Sequence, residues 1–321
     1  MNGPVGSALV MGASRGLGLL VCEELLRRGF TVHGCARDEE ELYEAARILA
    51  AAVPDSRFVP RVCDVRDDRA VSTVVDDVVR TDGRLDVALH VAGVIQVGHV
   101  DTVTLGHYHD AVDTMLFGPV HVALAVLPVM QDAGHGRIGI VSSLGGLVAV
   151  PRLVPYSVAK FGAVGLAEGL YAELAVTGVT VTAVTPGLMR TGGHLHARFV
   201  DNAVTDYAWF APLASLPGLS ISAQRAARRI VSGVLSGSPT VELTALTMIG
   251  RRVHGLAPAT TIRAMGLVSR LLPGPSGSAA DRMSAATPAV EGRAARDRAA
   301  SWVVNALSVL GDRAAHRHNE V

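Results

Sequence analysis

The chain has 321 residues, 49% of them hydrophobic and 4% aromatic, and its 29 basic and 29 acidic side chains give a formal net charge of zero. That length suits one large core plus an extension, because single cores stop growing near ~250–300 residues. The balanced charge excludes a global field that would draw in nucleic acid or an anionic membrane. Cys22, Cys35 and Cys63 are odd in number, far apart and without metal spacing, which fits small core residues in a reducing compartment. Met1 to Ser7 is too short and too polar for a signal peptide, and no apolar run reaches the ~20 residues of a spanning helix. A cytoplasmic location is expected, with membrane association disfavoured.

Short β-branched runs alternate with helical stretches. Ala8–Met11 predicts a first strand, then a glycine turn and a helix from about Leu17 to Arg28. Thr31–Ala36 predicts a second strand and the Glu-rich helix Glu39–Ala52 after it. Arg57–Val62 is the third strand, followed by a helix near Asp67–Thr81. Asp86–Val91 is the fourth, followed by a long helical region from about Leu105 to Met130, and Arg137–Ser142 is the fifth. A helix over Tyr156–Val176 leads to the strand Val179–Thr185, and Thr240–Leu243 gives a last short strand. Such alternation indicates βαβ units, a parallel sheet and helices on both faces, with ligand beyond the carboxyl ends of the strands. After about Ala245 the pattern changes. Arg251 to Pro273 is arginine-bearing and amphipathic, Leu272 to Ser278 reads as a turn or hinge, and Pro288 to Ala315 as one more helix with Trp302, Val303, Leu307 and Leu310 on one face.

Two features carry chemistry. Gly12-Ala13-Ser14-Arg15-Gly16-Leu17-Gly18 follows the first strand and opens a helix. Its glycines let the backbone turn tightly and approach a pyrophosphate, and the helix N-terminus supplies free N–H groups and partial positive charge. The second feature is Lys160, the single lysine in a chain that otherwise uses arginine, four residues after Tyr156. Residues at that spacing share a helix face, and a compact ammonium there favours phenolate over phenol. Tyr156 is therefore a candidate acid/base.

Gly-x-x-x-Gly-x-Gly with Tyr-x-x-x-Lys resembles the short-chain dehydrogenase/reductase family, over roughly residues 5–245. Further matches follow in order. Asp64, with Val65, stands where the family contacts adenine, and Ala92-Gly93 matches the end of Asn-Asn-Ala-Gly. Ser143 lies thirteen positions before Tyr156, the catalytic serine spacing. Pro186-Gly187 with Thr191 matches the stretch that holds the nicotinamide carboxamide. The resemblance implies an α/β fold, a Rossmann-like doubly wound parallel sheet of about seven strands, over residues 1–245, and a helical C-terminal extension over residues 246–321. It implies that Tyr156 exchanges a proton with a carbonyl or alcohol oxygen held by Ser143. Lys160 lowers the tyrosine pKa and contacts the nicotinamide ribose, and the cofactor carries the hydride.

NAD enzymes of this shape place a carboxylate at the end of the second strand for the ribose 2′-hydroxyl. Here that position is Ala36, Arg37 follows, and Arg15 lies in the glycine loop; guanidinium groups bind a 2′-phosphate. NADP(H) is preferred, with NAD(H) the alternative should Asp38 turn inward. The chain departs from the family at Met115, where an asparagine belongs to a proton relay, and at His90 and Val91, which replace two asparagines. Asp113 or Thr114 could stand in for the relay asparagine if the helix register shifts locally. His90 reads as a satisfied structural residue. His194 and His196 read as lid or surface residues, and no metal is expected.

The walls of the substrate pocket are expected from Leu144, Leu147, Val150 and Pro151, and from Leu188, Met189, Phe199, Tyr207, Trp209 and Phe210. Few are charged, which predicts a lipophilic ketone or alcohol. The extension caps the pocket, packs at a subunit interface or lies on a membrane surface, the first two being preferred. The family implies a homodimer or homotetramer through the helices after the fourth and fifth strands. The leading reading is an NADP(H)-dependent oxidoreductase. A redox-neutral isomerisation or cyclisation catalyst and a non-catalytic nucleotide-binding regulator are the alternatives.

Overall fold

Residues 5–200, 202–215, 220–274, 289–299 and 302–320 are described by a computed structural model. Seven apolar runs form one parallel sheet: β1 (Gly6–Met11), β2 (Phe30–Ala36), β3 (Phe58–Val62), β4 (Val87–His90), β5 (Gly136–Val141), β6 (Val179–Thr185) and β7 (Thr240–Glu242). Their order across the sheet is β7-β6-β5-β4-β1-β2-β3. Every residue of β1 and β4 is buried, as expected for strands covered on both faces. The order reverses at β1, which pairs with both β2 and β4, so a crevice opens beyond Met11, Cys35 and His90, which align in register.

The helices follow the strands: α1 (Gly16–Arg27), α2 (Glu39–Ala52), α3 (Asp68–Asp82), α4 (Leu105–Val112), α5 (Gly118–Asp132) and α6 (Val154–Glu173). Beyond β6 come α7 (Ala203–Ser215), α8 (Ala223–Leu235), α9 (Ala245–Leu256), α10 (Pro258–Leu271), α11 (Gly292–Ala299) and α12 (Trp302–Arg317). One face of the sheet buries Leu20, Leu25, Leu42, Ile230 and Val231 from α1, α2 and α8. The other buries Val71, Val78, Val126, Met130 and Ala163 from α3, α5 and α6. Cys22, Cys35 and Cys63 are free and buried, as the sequence suggested.

A π-helical turn, Asp113–Phe117, joins α4 to α5. The resulting helix, Leu105–Asp132, is 28 residues long and, by length and composition alone, apolar enough to cross a membrane. Its inner side, with Val122, Val126 and Met130, packs in the core.

The extension differs from expectation. The amphipathic segment is two helices, because Pro258 cannot continue α9 and instead opens α10. Among the described residues of these two helices only Thr247 and Thr261 are buried. Of the single helix expected over Pro288 to Ala315, Val290–Glu291 is a strand and the described helical stretches are α11 and α12, with residues 300 and 301 outside the described residues. Part of the expected hinge (275–278), Pro288 and the side chains of Trp302, Val303, Leu307 and Leu310 lie outside the described residues.

Candidate active site

Ser143 leaves the end of β5 in an extended conformation and caps a short 3-10 turn, Leu144–Gly146, accepting the Gly145 N–H at 3.1 Å. Tyr156 and Lys160 come from the first turns of α6. A Cβ on Gly145 would lie 3.0 Å from the Tyr156 ring and 3.7 Å from the Ser143 hydroxyl, so this glycine allows the two to meet. Burial raises the Tyr156 pKa, and a hydrogen bond with Ser143 pulls it back. Lys160 is 4% exposed, donates to the Val141 carbonyl at 2.7 Å, and places Nζ 5.8 Å from the centroid of the Tyr156 ring. Burial pushes its own pKa down to about 7. The influence that lowers the phenol pKa here is Ser143 rather than Lys160, whose ammonium is directed to a backbone carbonyl.

The glycine loop crosses the top of β1. Gly12 and Gly16 have φ of 89° and 55°, the left-handed region that glycine adopts freely. A Cβ on Gly18 would fall 1.7 Å from the Gly12 carbonyl, so only glycine lets α1 start this close. The backbone N–H groups of Gly12 and Ala13 are anchored to Cys35, and that of Ala92 to Met11. Leu17 is buried under the loop. Gly93 faces Lys160, whose Nζ would lie 3.8 Å from a Cβ there. Pro186 accepts the Leu144 N–H at 2.8 Å, tying the β6 turn to the serine turn. Gly187 sits against Thr244, and the Thr191 hydroxyl accepts the Gly193 N–H. Asp64 is bound by Arg66; burial alone would raise its pKa, but those hydrogen bonds hold it below the usual carboxylate range. Val65 is buried, and its carbonyl bonds His121 Nδ1 at 2.9 Å.

The family model for short chain dehydrogenases matches residues 7–198. The chain belongs to the short-chain dehydrogenase family. A putative ketoacyl reductase of Streptomyces coelicolor is 38% identical over 186 residues, 57% of this chain and 70% of that protein. A 3-ketodihydrosphingosine reductase of Bacteroides thetaiotaomicron is 31% identical over 60% of this chain and 65% of its own length. Among solved structures, a short-chain dehydrogenase from Streptomyces avermitilis superposes with TM-score 0.71 at 29% identity, covering 85% of this chain and all (100%) of that one. A variant of the actinorhodin polyketide ketoreductase with NADPH superposes with TM-score 0.65 at 28% identity, over 75% of this chain and 97% of that chain.

This short-chain dehydrogenase is an oxidoreductase of the CH–OH/C=O class, and its cleft fits a nicotinamide dinucleotide. The α1 N-terminus has no side-chain cap, which leaves its N–H groups to other acceptors, and the glycine cradle would be filled by any Cβ. Asp38 does not turn inward: it caps α2, accepting the Glu41 N–H at 2.9 Å. Arg37 is exposed beside the cleft. Arg15 forms an ion pair with Glu41, which also accepts the Ser14 hydroxyl at 3.0 Å. Glu41 was not singled out in the sequence, where it looks like one more acid in a Glu-rich helix start.

Met115 is buried with its sulfur 3.4 Å from the position of a Cβ on Gly93. The local register shift is present as the π-helical turn, and it buries Thr114 with its hydroxyl unpaired. His90 is 1% exposed, and among the described residues neither ring nitrogen makes a well-formed hydrogen bond, the Thr114 backbone being a weak partner. Burial and the Lys160 charge push its pKa down to about 3, so the ring is neutral. Gly118 makes room for it, since a Cβ there would lie 2.8 Å from Nε2.

Val150, Tyr156, Trp209 and Phe210 are partly buried against one apolar cluster that contains Leu153, Phe199 and Tyr207. Leu144 and Leu188 flank the turns after β5 and β6, and Leu144 also touches Gly250 of α9. Phe199 and Tyr207 are fully buried and edge-on to each other, so they hold the wall together rather than line it. His194 and His196 are not surface residues. His194 is 1% exposed and bonds Asp312 of α12 at 3.1 Å, and His196 Nε2 lies 3.0 Å from the Glu320 carbonyl oxygen. They anchor the C-terminal segment, which sequence spacing alone could not place against them.

Proposed function

We propose that this short-chain dehydrogenase is an NADP(H)-dependent reductase that converts a ketone on a lipophilic small molecule to a secondary alcohol. The observation that carries the reading is the meeting of Ser143, Tyr156 and Lys160 beside the glycine cradle at the carboxyl edge of the sheet. The ketoacyl reductases among its relatives and the NADPH-bound ketoreductase neighbour support the reaction class, and point to a β-ketoacyl or polyketide-like ketone.

Gly12, Ser14, Arg15, Gly16, Leu17 and Gly18 would hold the dinucleotide, with Asp64, Val65, Ala92 and Gly93 on the adenosine side. Pro186, Gly187 and Thr191 would hold its nicotinamide end. When bound, the nicotinamide supplies the hydride. Ser143 donates to the substrate oxygen and fixes it where negative charge develops. Tyr156 gives that oxygen its proton; its raised pKa keeps it protonated and ready as an acid. Lys160, held on the Val141 carbonyl, would contact the nicotinamide ribose. Arg37 favours a 2′-phosphate, and Arg15 joins it once it leaves Glu41. The Val150, Trp209 and Phe210 wall excludes water from the acyl chain.

The test is isotopic. With NADPH deuterated at the transferring C4 position, an aliphatic or aromatic β-ketoester is expected to yield an alcohol with one deuterium on the carbinol carbon. Turnover confined to small charged keto acids, or an alcohol without label, would contradict the reading.

A further inference from the structure

The C-terminal segment after α12 lies across the dinucleotide cleft. The Gly16 N–H, the first free donor of α1, binds the His318 carbonyl at 2.8 Å. Asn319 takes a left-handed turn, with φ of 58°, and its amide donates to the Ser14 carbonyl at 2.8 Å and the Glu41 carbonyl at 3.2 Å. The Glu320 carboxylate accepts the Gly192 N–H at 2.6 Å on the opposite wall, next to Thr191. Its other oxygen lies 2.8 Å from the position of a Cβ on Gly16. Glu320 is 5% exposed, an acid buried where the loop is shaped for an anion. The segment is fastened from behind by His196 and Arg293 on the Glu320 carbonyl and by Gln224 on His318. Gly192 is what admits it, because a Cβ there would fall 2.6 Å from Ala315 and 2.7 Å from the Glu320 Cβ.

We propose that the cleft is also a peptide site, and that His318–Glu320 is its built-in ligand and competes with the dinucleotide. The His318 carbonyl on the Gly16 N–H and the Glu320 carboxylate on the Gly192 N–H stand in for the oxygens of a pyrophosphate, while the Asn319 amide holds the segment to the Ser14 and Glu41 carbonyls. A dinucleotide lying on Gly16 and reaching Thr191 must displace the segment. Displacement also frees Ser14 and the Glu41 region for the adenosine half. The free energy of undocking is then subtracted from cofactor binding, and the apparent affinity falls by the fraction of molecules with the segment out. The proposal rests on the reading that this cleft binds a nicotinamide dinucleotide.

Two measurements on the full chain test it. The dissociation constant for NADPH, followed by nicotinamide fluorescence, is compared between the wild type, Glu320→Gln, and Asn319→Ala combined with Glu320→Ala. The double variant is expected to bind about tenfold more tightly or better, with Glu320→Gln intermediate. Hydrogen exchange on the unmodified chain gives an answer that does not depend on how the variants fold. Saturating NADPH is expected to deprotect the amides of residues 318–320 while those of the glycine loop stay protected. Equal affinities together with an unchanged exchange rate at 318–320 would overturn the proposal and leave the cofactor reading standing. No binding of NADPH or NADH by any of the proteins would overturn both.

Discussion

Lys160 is costly for the fold, and the proposed mechanism needs it at the site. It is 4% exposed with a single backbone carbonyl as its hydrogen-bond partner, and burial lowers its pKa from 10.5 to about 7. A base with a depressed folded pKa binds fewer protons folded than unfolded between those two values, so stability rises with pH across that window. The cost is fully present below about pH 7 and disappears towards 10.5. Lys160→Met is therefore expected to be more thermostable than wild type at pH 6, by up to about 5 kcal/mol, since the fall from 10.5 to about 7 is worth about 1.4 kcal/mol per pKa unit. The gap should close as pH approaches 10, and turnover should be lost. Thermal denaturation of both proteins across pH checks this; a gap that widens with pH would contradict it. The lysine was legible because it is the only one in the chain, and Ser143 because its thirteen-residue distance from Tyr156 matches the family's spacing. Glu41 and Glu320 were not legible. Their roles depend on which backbone they reach, and no local pattern encodes that.

At the scale of elements, the strands stood out because each is a short β-branched run closed by a glycine or a polar turn. Val179–Thr185 and Glu39–Ala52 coincide with prediction, and the other sheet strands differ at their ends by one or two residues. No helix or strand was assigned between β6 and β7. There α7, Ala203–Ser215, is apolar on most sides because it is enclosed by the pocket wall and α12, so it has no periodic stripe to find. By contrast α8 carries Ala223, Ala226, Ala227, Ile230, Val231 and Val234 on one buried face, a 3.6-residue period that the sequence does display. The π-helical turn at Asp113–Phe117 is followed by Gly118, where a Cβ would meet His90 and Val65. Helices α4 to α6 also leave apolar side chains exposed, including Phe117 at 48%, Leu124 at 66% and Phe161 at 39%. We propose this surface as the subunit contact expected after the fourth and fifth strands. Leu124→Glu with Phe161→Glu should shift the chain to monomer in sedimentation, while far-UV circular dichroism stays native. A wild type that sediments as monomer would dispose of the proposal.

Across the whole molecule, one sheet edge gathers residues from every part of the chain: the loop after β1, the ends of β4 and β5, α6, the turn after β6 and the segment after α12. The extension divides its work. Helix α9 packs Gly250 against Leu144 and ties Arg251 to Glu168 and Glu242, while α11 and α12 close over α7 and the cleft. Met115 stands where the family's relay asparagine belongs, but Ser143, Tyr156 and Lys160, which we propose meet the substrate oxygen, are all present, and that favours reduction over a redox-neutral or purely regulatory role. The claim on which all of this turns is that the phenol at position 156 supplies a proton to a carbonyl oxygen. Tyr156→Phe measures it most directly, with NADPH affinity and ketone turnover determined on the same preparation. The account predicts cofactor affinity within about twofold of wild type and turnover lower by roughly 10²–10⁴-fold, the usual contribution of a positioned acid. Turnover that survives the loss of the hydroxyl would contradict it.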